Sequence, residues 1–429
     1  MMMQDQMKFT VKMYVEQTNR AIRLAIVCVI LVLQVAVLKN FPVNHIHFIS
    51  NTIYLSFLVI FYFLYCVNNF FVNLRLRGLD IIFFSAIAVM FVSAFKSYLT
   101  FDQPFLYGIF VQRSILLSLS SIFLLHLLHK NTINIFDIEN SFIILSHTLL
   151  ILYLFFYLFI DAGKYVKTSF TSFSPVKGYR YRFENFLIVM LLFYAIIKLV
   201  LEKKWIFIGS FVLAIVYLFV FYQGRIVIFS TAITIIVFFT INIFLKQKGP
   251  PKLYTVYVFL LLGLLIYLFP QLIQKHIKAF GNVVSLLSGN EVREPSVYIR
   301  FHESIIAIEG FKNNILFGTG RLSFRWEEGY KSLFNYFYPS DIGLLGNLYI
   351  YGIIGTMIFY IPFIAVAYWS KKIRGIRSTL LITAEYTLLY LFIKMLFSAH
   401  NISSLGMTYF PFIIVYYFYN QAEPIQKQE

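Results

Sequence analysis

Long apolar runs alternate along the chain with short charged or Pro/Gly-containing breaks. About twelve runs approach the roughly 20 residues that a helix needs to cross a bilayer. They are 21–38, 51–72, 81–99, 105–128, 141–160, 185–201, 206–222, 226–245, 253–270, 343–369, 379–398 and 405–419. The seventh and eighth are parted only by Gln223-Gly224-Arg225, which predicts a tight helical hairpin at the membrane surface. Two stretches, 161–184 and 271–342, are too long for turns, and long loops in compact proteins are usually functional or disordered. The second carries Tyr298, Phe301, Ile305, Ile306, Leu316, Phe317, Trp326 and Phe334, which is too apolar for disorder. Within it, 296–310 predicts an amphipathic helix with Ile305, Ile306 and Ile308 on its apolar side, lying partly in the interface. No internal repeat of fixed period is visible.

Composition removes most other classes. Of 429 residues, 60% are apolar and 13% charged, with mean hydropathy +0.77. A soluble domain is nearer half apolar and a quarter charged. Surface-to-volume scaling leaves nowhere to hide the excess. A soluble enzyme, a disordered chain and a coiled coil are excluded, and an all-α polytopic membrane protein remains. The formal charge of +17 would suggest nucleic acid in a soluble protein. Here it follows topology. With the N-terminal Lys8, Lys12, Arg20 and Arg23 in the cytoplasm, five further basic loops fall on the same side. These carry Arg75/Arg77, Lys130, Lys203/Lys204, Lys246/Lys248/Lys252 and Lys371/Lys372/Arg374/Arg377, as the positive-inside rule expects. Both termini are then cytoplasmic, and nucleic acid is not an expected partner. Cys28 and Cys66 lie in apolar runs and form no disulfide or metal pattern. The first run ends in Leu38-Lys39-Asn40 without a small-residue cleavage site, so it is expected to be a retained span.

On that topology Arg180, Arg182, Arg225 and Arg300 face outward, against the charge rule, so each needs a local reason. The planar guanidinium fork matches phosphate oxygens bidentately and keeps its charge. Several arginines from distant positions on one face point to a phosphate or pyrophosphate group at the membrane surface. The alternative is snorkelling to headgroups or pairing with Glu184, Glu294 or Glu303. His302 and Glu303 follow Arg300, and either is a candidate base or a structural partner for it. Lys96, Arg113, Glu385 and Lys394 fall inside apolar runs, where charge is costly and faces the bundle interior. Glu385 is expected to pair with Lys394 or Arg113. His126, His129 and His147 lack metal-ligand spacing, and His400 stands alone. Tyr330, Tyr336 and Tyr338 could stack on sugars or join an interfacial belt.

Several motifs recur in a telling order. Gly178-x-Arg180-x-Arg182-x-x-Asn185 comes first, then Gly224-Arg225 opening a helix. Arg300 leads into Ile308-Glu309-Gly310-Phe311-Lys312-Asn313-Asn314-Ile315-Leu316-Phe317-Gly318-Thr319-Gly320, and Asp341 into Gly352-Ile353-Ile354-Gly355. The Gly-Thr-Gly segment lacks the strand and lysine of a nucleotide loop and reads as a turn. Over roughly 170–360 this series resembles the O-antigen polymerase and ligase superfamily, bacterial membrane glycosyltransferases of the C-type architecture.

The resemblance implies a donor glycan on undecaprenyl diphosphate, gripped by Arg180 or Arg182, Arg225 and Arg300. Positive charge there would stabilise the departing diphosphate. Neither a divalent metal nor another cofactor is implied. The ligases carry a His-Asn pair where this chain has Ser340-Asp341, which looks more like the polymerases. Asp341, and after it Glu303, is then the expected general base, with Arg300 beside them. Asp341 could equally N-cap the tenth span.

The expected organisation is spans 1–9 with the 161–184 loop (1–270), a large external loop (271–342), and spans 10–12 with a tail (343–429). The expected activity is polymerisation of lipid-linked oligosaccharide repeats at the bacterial inner membrane, with a chain-length regulator as possible partner. Ligation of the glycan to lipid A-core is the related alternative, and flipping of the lipid-linked unit the unrelated one. A transporter would place its charges mid-membrane and show repeat symmetry.

Overall fold

The computed structural model describes residues 19–37, 44–68, 78–165, 171–174, 178–241, 263, 295–334, 337–373, 378–398 and 405–426. Helices dominate: α1 (19–34), α2 (Asn44–Val67), α3 (Gly78–Phe101), α4 (Phe105–Gln112), α5 (Leu119–His129) and α6 (Ile135–Phe159). After a hairpin of β1 (Thr171–Ser174) and β2 (Gly178–Tyr181) come α7 (Phe186–Val200), α8 (Ile208–Val216) and α9 (Arg225–Phe239). The described chain resumes with α10 (Pro295–Asn313), α11 (Gly343–Lys372), α12 (Thr379–Phe397) and α13 (Leu405–Gln426).

Among the described residues, seven helical stretches are long and apolar enough to cross a membrane, which makes this a multi-pass helical membrane protein. One of them, Phe105–His129, joins α4 and α5 through a 3₁₀ segment, Arg113–Ser118. The first, sixth, eighth and twelfth predicted runs are helical but shorter or less apolar. The ninth lies outside the described residues apart from Gly263.

The centre of the bundle is α7, whose 15 residues are all buried. A helix that is apolar on every side belongs inside its neighbours, and α6, α8 and α12 surround it. Large side chains on α2, α3 and α6 stay exposed, among them Phe63, Phe84 and Ile151, as a lipid-facing surface requires. Lipid tails are as apolar as leucine, so helix association rests on close packing and polar contacts. Gln34 donates to Ser121 Oγ (2.7 Å) and to the Gly406 carbonyl (2.9 Å), and Tyr54 donates to Ser120 Oγ (2.8 Å). These bonds tie α1, α2, α5 and α13 together. At the opposite end from the long loops, Asn134 and Asp137 form a capping box on α6, and Asp137 also meets Arg23 Nε at 2.9 Å.

The described residues of the 161–184 loop include a folded hairpin. Its strands pair antiparallel with Thr171 opposite Tyr181 and Ser174 opposite Gly178. Tyr181 closes it onto α6 by donating to the Ile160 carbonyl at 2.7 Å.

Candidate functional site

Helix α11 breaks near its start. Gly352 has φ 64° and ψ −169°, a region essentially reserved for glycine. A break inside an apolar layer frees backbone groups that must find partners. Residues 315–320 supply them. Ile353 and Ile354 donate to the carbonyls of Ile315 (2.9 Å) and Leu316 (3.2 Å). Thr319 and Gly320 donate to those of Tyr349 (2.8 Å) and Ile350 (3.0 Å). The exchange needs backbones in contact: a Cβ on Gly318 would lie 2.5 Å from the Ile350 carbonyl, and one on Gly320 2.2 Å from Ser97 N of α3. The Phe-Gly-x-Gly turn expected from sequence is therefore a segment docked between α3 and the broken α11.

The neighbours of this segment within 314–330 are fastened as firmly. Gln103, wholly buried after α3, accepts from Ser323 N (2.7 Å) and donates to the Arg321 carbonyl (3.2 Å). Lys96 reaches Asn314 Oδ1 at 3.1 Å. Tyr330 is buried, donating to Gly320 O (3.0 Å) and accepting from Leu322 N (3.1 Å), so it serves the loop and not a sugar. Tyr336 lies outside the described residues.

Helix α10 lies on this platform through a stripe that hydrophobicity alone does not pick out. Ile305 and Ile308 are exposed, Ile306 is half-buried, and the buried positions are Glu303 and Ala307. The reason is size. Glu303, Ala307 and Gly310 share one helical stripe, and Gly310 meets the Tyr349 ring so closely that a Cβ would clash at 2.3 Å. A stripe of small residues brings α10 down onto α11 and carries the Glu303 carboxylate into a buried layer. There it accepts the Tyr338 backbone N–H at 2.9 Å.

Three predicted residues meet here. Burial above all, with the neighbouring Asp341, pushes the Glu303 carboxyl up to about 7 against the opposing Tyr338 N–H and Arg300. Asp341 is half-buried at the end of the 3₁₀ turn Pro339–Asp341. It does not cap α11, whose N-cap is Ile342 with no side-chain hydrogen bond. Arg300 is exposed one turn before Glu303.

Arg180 and Arg225 stand around the 217–225 turn. Arg180 on β2 lies within charge range of Tyr157 and Tyr222. Tyr222 ends a π-helical turn, Gln223 follows in the left-handed region (φ 50°), and Arg225 opens α9. A Cβ on Gly224 would enter the Tyr222 ring at 2.2 Å, so this hairpin tip needs glycine. Arg182 is exposed beyond β2.

The outer end of α12 separates the two groups. Gly343, just after Asp341, packs on the Leu396 carbonyl, and Phe229 of α9 meets the Phe397 ring at 5.3 Å. Lys394 lies there within charge range of Glu184, a link across 210 residues that sequence pairing assigned to Glu385. His147 is structural, bridging Ile143 O (2.8 Å) and Ser210 Oγ (2.7 Å). His400 lies outside the described residues. No family model and no curated protein sequence matches the chain.

Proposed function

We propose that this protein is a bacterial inner-membrane polymerase of undecaprenyl-diphosphate-linked oligosaccharide repeats, with twelve spans, both termini in the cytoplasm and its site facing the periplasm. The observation that carries the reading is Glu303, a buried carboxyl poised near 7 beside Asp341 and Arg300. A general base works best when its pKa lies near the working pH, and a cation beside it suits a substrate with a diphosphate leaving group.

In the proposed reaction, a hydroxyl of the acceptor sugar loses its proton to Glu303 or Asp341 as its oxygen attacks the donor's anomeric carbon. The new glycosidic bond forms as the carbon–oxygen bond to the diphosphate breaks. Undecaprenyl diphosphate leaves with the bonding electron pair, and Arg180, Arg225 and Arg300 stabilise the charge it gains. The sugar–diphosphate bond supplies the driving force, so no nucleotide is consumed. Exposed Tyr298 and the exposed isoleucines of the long loop suit contact with glycan and lipid surface.

The test supplies purified protein with lipid-linked repeats alone and separates the products on a gel. A ladder of lengths supports polymerisation. Transfer only after addition of lipid A-core identifies a ligase, and lipid movement across vesicles without covalent product identifies a flippase. Either of those outcomes overturns the proposal.

A further inference from the structure

Two buried hydroxyls near the 217–225 turn make no hydrogen bond among the described residues: those of Tyr217 and Tyr390, both fully buried. A buried polar atom without a partner is costly and calls for an explanation. Both lie within charge range of Glu184 and of Tyr222.

Glu184 itself sits at the start of α7, accepting the backbone N–H groups of Asn185 (3.1 Å) and Phe186 (3.3 Å). Lys394 lies within its charge range from α12, 5.8 Å over the Tyr390 ring, and Arg180 lies within charge range of Tyr222. Lys394 thus faces the carboxylate, and Tyr222 lies within charge range of both Glu184 and Arg180. Helix starts, lysine, arginine and tyrosine hydroxyls are all donors suited to phosphate oxygens. Four elements build the cluster: the α7 start, the π-helical turn, β2 and the end of α12.

We propose that Lys394, Tyr217, Tyr222 and Tyr390 line a seat for a lipid-borne phosphate, which Glu184 occupies as an internal counter-ion until the phosphate displaces it. The ligand is lipid-borne because Lys394 lies one turn inside a membrane-length apolar helix, so an anion reaching it must carry an apolar tail. The seat deepens the proposed activity by adding residues to its diphosphate site; only the identity of the lipid, not the phosphate chemistry, rests on that reading.

The experiment measures binding to the full-length protein in detergent by native mass spectrometry, titrating undecaprenyl phosphate, phosphatidylglycerol and inorganic phosphate separately. Lys394→Met should weaken lipid binding roughly tenfold or more. Tyr390→Phe and Tyr217→Phe should each weaken it severalfold while the melting temperature holds or rises, since each deletes only an unpartnered hydroxyl. Glu184→Gln should tighten it. Preference for the polyprenyl chain marks the seat as a substrate site, and equal retention of phosphatidylglycerol marks it as a general phosphate-lipid seat; both support it. Unchanged binding in Lys394→Met and Tyr390→Phe, or retention of inorganic phosphate alone, overturns it. A protein that binds as expected yet makes no ladder leaves the seat standing and removes the polymerase reading.

Discussion

The backbone N–H of Tyr338 meets the Glu303 carboxylate at 2.9 Å, joining α10 to the turn that carries Asp341. This bond holds a carboxyl in a buried layer where its ionisation is disfavoured. The folded-state value, about 7, lies above the ordinary 4.5, so between those values the native state keeps a proton that the unfolded chain has lost. Stability therefore falls as pH rises through that window, and outside it this group adds no pH dependence. Glu303→Gln keeps an oxygen for Tyr338 and removes the titration. The melting temperature of the wild type minus that of the variant, in detergent, should fall steadily from about pH 4.5 to about pH 7, to the variant's advantage; a constant difference would contradict the environment described for Glu303.

Gly352 is the second sensitive position. A side chain there faces a backbone region costing of order 1–3 kcal/mol for other residues, and its Cβ would lie 2.3 Å from the Leu316 carbonyl. Gly352→Ala is expected to undock residues 315–320 while leaving the helices intact. Limited proteolysis should cut within 314–330 much faster than in wild type, at nearly unchanged helical circular dichroism. Equal protection would show that the break in α11 does not depend on glycine.

At the far end of the bundle, Asp137 serves both the α6 capping box and Arg23. Asp137→Ala removes a cap and an ion-pair partner at a buried position, a loss of about 2–4 kcal/mol. Arg23→Ala, which leaves the cap in place, should cost less. Thermal melts that rank the two variants the other way would contradict the double role of Asp137.

Much of this fold is legible in the sequence, because apolar runs of membrane length have few alternatives. The runs at 81–99 and 141–160 became α3 and α6 with ends shifted by a few residues. The Gln223-Gly224-Arg225 tip is where the spacing put it. The break at Gly352 was hidden, since one glycine in an apolar run looks the same whether or not another backbone docks against it. The stripe by which α10 packs was not visible in the sequence because periodicity weighs hydrophobicity, whereas Ala307 and Gly310 won the contact by being small. Asp341 looked like a cap, but the turn at Pro339 ends one residue too early for that role. Lys394 and Glu184 come together only through tertiary packing, and no local pattern connects them.

The most direct measurement is the rate of ladder formation by reconstituted protein between pH 5.5 and 8.5, for wild type and Glu303→Gln. The expected wild-type rate rises with pH through about 7 as Glu303 gives up its proton, and the variant forms at most a trace of ladder at every pH while still binding the lipid-linked repeat. A Glu303→Gln protein that makes the ladder at the wild-type rate and with the same pH profile would contradict the proposed site.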